Sequence, residues 1–300
     1  MIASIKRVLK FFIKPIYSRL NRIEEYQKES FTSQQNLMQK QLMASYQLGV
    51  KAGLTVKPLH EIGFSTFSEN TEDGVLLYIF SIIGSTNKKC VEIGCGYGRE
   101  CNTANLLIHH NWTGLLIDAG EKQTAHAKNF FNSFIKREAY RPVVVRAHIT
   151  KSNVNKIIKK NGFAGEVDLL SIDIDGVDYW IWKEIEVCNP RVIVAEIQCI
   201  WYSETAVTVP YDDHFEPGFM DGYGIYSGAS LAAFDKLAKQ KGYRFIGVER
   251  SGYNAFFLRN DIQSEYLPEE DLAVIDNLSF VKWAREKFYD QVKERVWVEV

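Results

Sequence analysis

Several kinds of signal are missing from this 300-residue chain. It has no C-x-x-C pair: its five cysteines, Cys90, Cys95, Cys101, Cys188 and Cys199, are odd in number and sit mostly on apolar stretches. That excludes a zinc ribbon and a disulfide framework, and reads as buried, reduced thiols in a cytosolic protein. No apolar run approaches the about 20 residues that span a bilayer, and no apolar segment leads to a small-residue cleavage site, so a cytoplasmic location is expected and secretion is not. A dominant charge is missing too. Lys and Arg total 36 against 37 Asp and Glu, a net charge of -1, which lacks the basic footprint that phosphate backbones demand and removes nucleic acid as a partner. There are no internal repeats. What is present is 46% hydrophobic content, enough to bury the core of one α/β domain with appendages.

The charge that exists is unevenly placed. Lys6, Arg7, Lys10, Lys14, Arg19 and Arg22 precede the first acid, Glu24, and alternate with Ile2, Ile5, Leu9, Phe12, Ile13, Ile16 and Leu20 at helical spacing. This predicts a basic amphipathic helix, kinked at Pro15, followed by a polar helix over 24–48. Such a pair of helices has two readings: peripheral contact with the inner face of a membrane, or docking on its own domain or a second copy through residues 1–48. Gly53, Pro58 and Gly63 mark a linker over 53–69 after the helices of 1–52.

The main domain is expected over 70–262, with a helical appendage over 263–300. Asn70, with Asp73 three residues on, predicts an N-cap before the apolar run Val75 to Ile83. Strands then alternate with helices: strands over 90–93, 114–118, 142–147, 167–174 and 192–197, helices over 100–109, 121–135, 152–160 and 177–185. The fourth strand is almost continuously apolar, as a central strand covered on both faces must be. Ser230 to Lys241 reads as a helix closed by Gly242, and strands over 243–249 and 253–258 flank Ser251-Gly252 as a hairpin. The fold class is therefore α/β: a doubly wound, mostly parallel, seven-stranded Rossmann-like sheet with a C-terminal antiparallel hairpin.

The first strand runs into Glu92-Ile93-Gly94-Cys95-Gly96-Tyr97-Gly98, three glycines spaced by two. Glycine lets the backbone turn where a Cβ would collide, so the pattern marks a tight loop at a strand end. A dinucleotide fingerprint needs its third glycine at position 99, which is Arg99, so the pyrophosphate reading fails. Asp118 ends the second strand, where a carboxylate can accept from both hydroxyls of a ribose; the alternative is an N-cap for the helix after it.

Ligands of open α/β sheets bind beyond the carboxyl ends of the strands where strand order reverses, which places the ends of the first, fourth and fifth strands together at the site. The fourth strand delivers Asp173, Asp175 and Asp178 there. Alternation puts Asp173 and Asp175 on one side and Ile172 and Ile174 on the other, so the two acids can position an acceptor hydroxyl or, as the less favoured reading, hold a divalent cation. Asp178 reads as a helix cap. Glu196 ends the fifth strand and either accepts a hydrogen bond from substrate or pairs with Arg191 or Arg146. The long segment from Trp201 to Gly224 reads as a lid, with His214 its candidate base.

E-x-G-x-G-x-G resembles motif I of the class I S-adenosylmethionine-dependent methyltransferases. Together with S-E-N-T-E-D-G at 68–74, L-L-S-I-D-I-D-G-V-D-Y-W at 169–180, A-V-T-V-P-Y-D at 206–212 and N-A-F-F-L at 254–258, it is similar to FkbM-type or related bacterial enzymes that O-methylate sugars, polysaccharides or natural products. FkbM-type proteins commonly carry Glu where this chain has Asp175. The resemblance implies S-adenosylmethionine as cofactor, held by Glu92, Gly94, Gly96, Tyr97, Gly98, Asp118, Ala119, His148 and Asp173, and a small-molecule or glycan acceptor handled by Asp173, Asp175, Glu196 and His214. Five parallel strands followed by a hairpin is also that family's order. The competing expectation is a scaffold that binds the cofactor without turnover. The N-P-P-Y type of tetrapeptide that grips a flipped base is absent after the fourth strand, which again argues against nucleic acid.

Overall fold

The expected alternation closes into one seven-stranded sheet. The computed structural model describes residues 2–54 and 57–300, the side chains of 2–13, 15 and 17 excepted. Two units are distinguished, Met1–Ser45 and Tyr46–Val300. The first is helical: α1 runs Ile2–Lys51 without a break at Pro15, so the separation into two helices is not found. The apolar and basic side chains expected to make its first turns amphipathic, from Ile2 to Ile13, lie outside the described residues. No helix among the described residues is long and apolar enough to cross a membrane.

In the second unit α2 (Glu72–Ile83) precedes β1 (Lys89–Ile93), α3 (Ala104–His109), β2 (Thr113–Asp118), α4 (Glu121–Phe134) and β3 (Val143–Arg146). The chain then crosses back through α5 (Val154–Lys160) to β4 (Gly165–Ile172), α6 (Asp178–Glu184) and β5 (Cys188–Glu196). Three short strands, β6 (Val207–Thr208), β7 (Gly218–Met220) and β8 (Tyr223–Tyr226), occupy the segment expected to be an irregular lid. After α7 (Leu231–Lys241) come β9 (Tyr243–Val248), β10 (Asn254–Arg259), α8 (Val274–Asn277), α9 (Ser279–Lys293) and β11 (Val298–Glu299). The sheet order is β3-β2-β1-β4-β5-β10-β9, with β10 antiparallel to both neighbours.

Strand alternation divides the core. Val91, Leu115 and Leu170 face Ile158, Trp182 and Phe234 on one side. Cys90, Leu116 and Leu169 face Ile79, Leu107 and Phe131 on the other, and all five cysteines are buried and unpaired. Ile93 pairs with both Ile117 and Ile172, so β1, β2 and β4 finish level with one another. At the opposite end of β4, buried Asp168 accepts from the backbone N–H groups of Thr86, Asn87 and Lys88 and pairs with Arg191 Nη1 at 2.9 Å.

Local chemistry corrects several boundaries. The N-cap of α2 is Thr71, not Asn70, and the reciprocal capping is made by Ser68 and Asp73: Ser68 Oγ accepts from Asp73 N while Asp73 Oδ2 accepts from Ser68 N. The first crossover helix begins at Ala104, not at 100, because 100–103 form part of the loop after β1. The helix closed by Gly242 is as expected, with Ser230 Oγ accepting from Ala233 N and Gly242 at φ +81°. In the expected appendage, Ile275, Leu278 and Val281 join the main core, and Arg285 donates to the carbonyls of Ile200 and Trp201 and pairs with Asp276.

Candidate functional site

A cavity of about 470 Å³ opens beyond the level ends of β1, β2 and β4, where the chain changes direction across the sheet. Its floor is the glycine loop. Each glycine is there for a different reason. Gly94, at φ +95°, has no room for a side chain, since a Cβ would stand 1.5 Å from the Asp173 carbonyl oxygen. Gly96, at φ +50°, has no heavy atom within 4 Å of that position and opens on the cavity. Gly98, at φ +83°, lets α4 approach, with Ala127 Cα 2.9 Å from its absent Cβ.

Asp118 holds the loop in shape. Its Oδ2 accepts from Gly96 N at 2.8 Å and its Oδ1 from Gly120 N at 2.7 Å, so the carboxylate bridges the turns after β1 and β2 while lining the cavity. It does not cap α4, whose N-cap is Gly120 without a side-chain bond. Tyr97, Ala119 and His148 line the same cavity, and the Tyr97 carbonyl lies 2.7 Å from His126 Nδ1.

Glu92 is not in the cavity. It is fully buried on the far side of the loop, where its carboxylate accepts from the N–H groups of Asn102 and Thr103 and from Thr103 Oγ1. Its place in the sequence motif reflects an anchor for the start of α3. Burial pushes its carboxyl up to about 7 despite those bonds.

Asp173 and Asp175 both line the cavity, although strand alternation is not what brings them together. β4 ends at Ile172. Asp178 then accepts from Ile174 N at 2.8 Å and Gly176 N at 2.9 Å, curling the chain so that Asp175 sits at φ +52° and Ile174 lines the cavity as well. Burial, then the carboxylates of Asp178 and Asp175, raise the Asp173 carboxyl well above the usual range. Glu196 lies behind it rather than in the cavity. Burial and Asp173 raise its carboxyl in turn, and its Oε2 is buried without a partner. Neither expected arginine reaches it, since Arg191 pairs with Asp168 and Arg146 with Glu121. His214 is exposed outside the cavity, its ring 6.1 Å from that of His148. Among the described residues no cluster of three or more His, Cys, Asp or Glu could hold a metal ion.

Other lining residues carry no local signal in the sequence. Glu69 and Glu100 arrive because Glu100 N donates to the Phe67 carbonyl at 2.9 Å, folding 67–69 down beside the glycine loop. Asp212, Asp213 and Phe215 come from the same segment as His214. Seven acids, Glu69, Glu100, Asp118, Asp173, Asp175, Asp212 and Asp213, thus face one arginine, Arg99, and one histidine, His148. Such a cavity favours a cation and repels phosphate.

Buried acids of this kind make a prediction. Burial pushes Asp73 and Asp178 up to about 6, and Glu92 and Glu249 up to about 7. Each therefore binds its proton more tightly in the folded than in the unfolded chain. The stabilisation this gives is complete below about pH 4 and is lost as pH rises through about 6 to 7. Melting temperature should fall between about pH 5 and about pH 8. A rise over that range in a thermal-shift series would refute the burial argument.

No protein-family model matches the chain, and no curated protein does. Among solved structures, an O-methyltransferase from Bacillus cereus in complex with SAH is 16% identical, covering 72% of this chain and 88% of that one at a TM-score of 0.39. A S-adenosylmethionine-dependent methyltransferase from Clostridium acetobutylicum ATCC 824 is also 16% identical, covering 59% and 85% at 0.36. The methyltransferase domain of bacterial CtHen1 is 15% identical, covering 62% and 96% at 0.39. At such distances the chemistry has to be read from the cavity itself.

Proposed function

We propose that this chain is a S-adenosylmethionine-dependent methyltransferase that acts on a hydroxyl of a sugar, polysaccharide or natural product. The observation that carries the reading is the Asp118 bridge from Gly96 N to Gly120 N in the lining of an acid-rich cavity. The residues present suit the donor. Gly96 leaves open space for its amino-acid part, Asp118 keeps lone pairs for a ribose diol, and the surplus of acids complements a sulfonium cation.

When bound, that donor supplies an electrophilic methyl carbon, which passes in line to the acceptor oxygen as the carbon–sulfur bond breaks. The chain's own task is to place the acceptor and move one proton. Asp173 is fixed for this by its backbone, whose N–H donates to the Ile93 carbonyl at 2.9 Å. Burial and the neighbouring acids raise its pKa, so in its ionised form it is a stronger proton acceptor than an ordinary carboxylate. Glu196, buried behind it with its Oε2 unbonded, receives or returns the same proton. Asp175 and Glu69 accept hydrogen bonds from neighbouring hydroxyls and orient the acceptor.

Isothermal titration with S-adenosylhomocysteine tests the donor site directly. Asp118→Ala removes charge-assisted bonds worth about 1.5–3 kcal/mol each, so affinity should fall at least about tenfold. Transfer of label from S-adenosylmethionine to a panel of glycans and small-molecule alcohols tests the reaction. Tight binding with no transfer to any member would favour the scaffold, and no binding would remove the donor assignment altogether.

A further inference from the structure

On the reading above, the donor and the hydroxyl that it methylates share the first cavity, of about 470 Å³. A second cavity, of about 850 Å³, is lined in part by the next residues of the same stretch of chain. Glu69 lines the first and Thr71 the second, and Asn70, between them in the chain, accepts from Ser251 Oγ at 3.2 Å. Two residues span at most about 7 Å, which brings the two linings close together along this stretch.

The lining of the second cavity defines a chemistry. His60, Glu61, Arg250, Asn277 and Ser279 supply donors and acceptors of both signs, and Phe280 adds an aromatic ring. An anion would meet Glu61 and a cation would meet Arg250, whereas a neutral polyol satisfies both, because each hydroxyl donates once and accepts twice. The ring of Phe280 lies 5.0 Å from that of Tyr253 and 5.5 Å from that of Trp283, which is 40% exposed. Phe280 in the cavity lining thus belongs to a cluster of rings that includes the partly exposed Trp283. Flat rings beside amphoteric polar groups match a pyranose, whose faces are C–H and whose edges are hydroxyls.

We propose that the second cavity binds the body of an oligosaccharide acceptor, holding the units next to the one that presents its hydroxyl to Asp173. The inference rests on the methyltransferase reading and goes beyond it in requiring an acceptor longer than one sugar. A glycan array of mono- to hexasaccharides, probed with the full chain saturated with S-adenosylhomocysteine, tests it. Signals should be confined to oligosaccharides and should fall at least about tenfold in Arg250→Glu and in Ser279→Trp. Arg250 and Ser279 are both exposed, so neither change disturbs the core, and S-adenosylhomocysteine affinity should be unchanged in both. Wild-type signals as strong on monosaccharides, signals unaffected by either variant, or no signal from donor-saturated protein would each overturn the proposal. Failure of the donor reading is distinguishable, because it appears as lost S-adenosylhomocysteine binding in the wild-type chain, independent of any glycan.

Discussion

Gly96→Val will leave a folded sheet that no longer binds S-adenosylhomocysteine, whereas Gly94→Ala will fail to fold. The two glycines differ in what surrounds them. Any Cβ at Gly94 lands 1.5 Å from the Asp173 carbonyl oxygen and 2.6 Å from its carbon, and backbone cannot swing aside as a side chain does. Relief requires separating the ends of β1 and β4, where Ile93 pairs with Ile172 and Asp173 N donates to the Ile93 carbonyl. Those are central strands with cores on both faces, so the loss is cooperative.

At Gly96 nothing lies within 4 Å, and the two methyls of valine stand in the cavity. A β-branched residue at φ +50° adds about 1–3 kcal/mol of local strain, which a sheet of this size tolerates. Affinity for S-adenosylhomocysteine should fall at least about 100-fold by calorimetry, roughly 2.7 kcal/mol, with an unchanged far-UV circular dichroism spectrum. Unaltered affinity would show that the open side of the loop is not where the donor lies. Soluble, cooperatively unfolding Gly94→Ala protein would show that the close approach of β4 is dispensable.

That contrast bears on how much of the molecule is legible in its sequence. Period-two and near-period-four patterning locates every strand of the main sheet to within a few residues, because burial on both faces leaves β1, β2, β4 and β5 little choice of composition. The glycine loop and Asp118 are equally visible, since local geometry dictates them. Glu92 misleads for a reason: motif spacing reports that an acid is required and not what it touches, and here it touches the start of α3. Alternation likewise stops being a guide one residue past Ile172, where side-chain bonds from Asp178 take over from the ladder. Glu69, Asp212 and Asp213 reach the cavity through contacts distant in sequence, which no window of local pattern contains. The unbroken helix through Pro15 shows the limit of a single-residue rule, since the ring removes one donor while the turns on either side continue.

The second large effect lies at the opposite end of β4, away from the cavity. Asp168→Ala should lower the free energy of unfolding by about 3–5 kcal/mol while leaving S-adenosylhomocysteine affinity intact. The wild-type carboxylate is fully buried, accepts from the N–H groups of Thr86, Asn87 and Lys88, and pairs with Arg191. The bonds to those backbone groups and to Arg191 outweigh the cost of burial and hold its pKa below the usual value. The stabilisation it gives is therefore present above about pH 4 and lost as pH falls through the lower folded value. In the alanine variant three N–H groups lose their acceptor and Arg191, 7% exposed, keeps its charge without the carboxylate. Arg191 also donates to the carbonyls of Ile83 and Gly84, so the turn between α2 and β1 loosens with it. Urea unfolding of Asp168→Ala, Arg191→Met and the double variant closes the cycle. The double variant should recover part of the loss, because an uncompensated buried charge costs more than an absent pair. A single-variant loss under about 1 kcal/mol would mean that water reaches Arg191 and that the turn is held by its apolar neighbours instead.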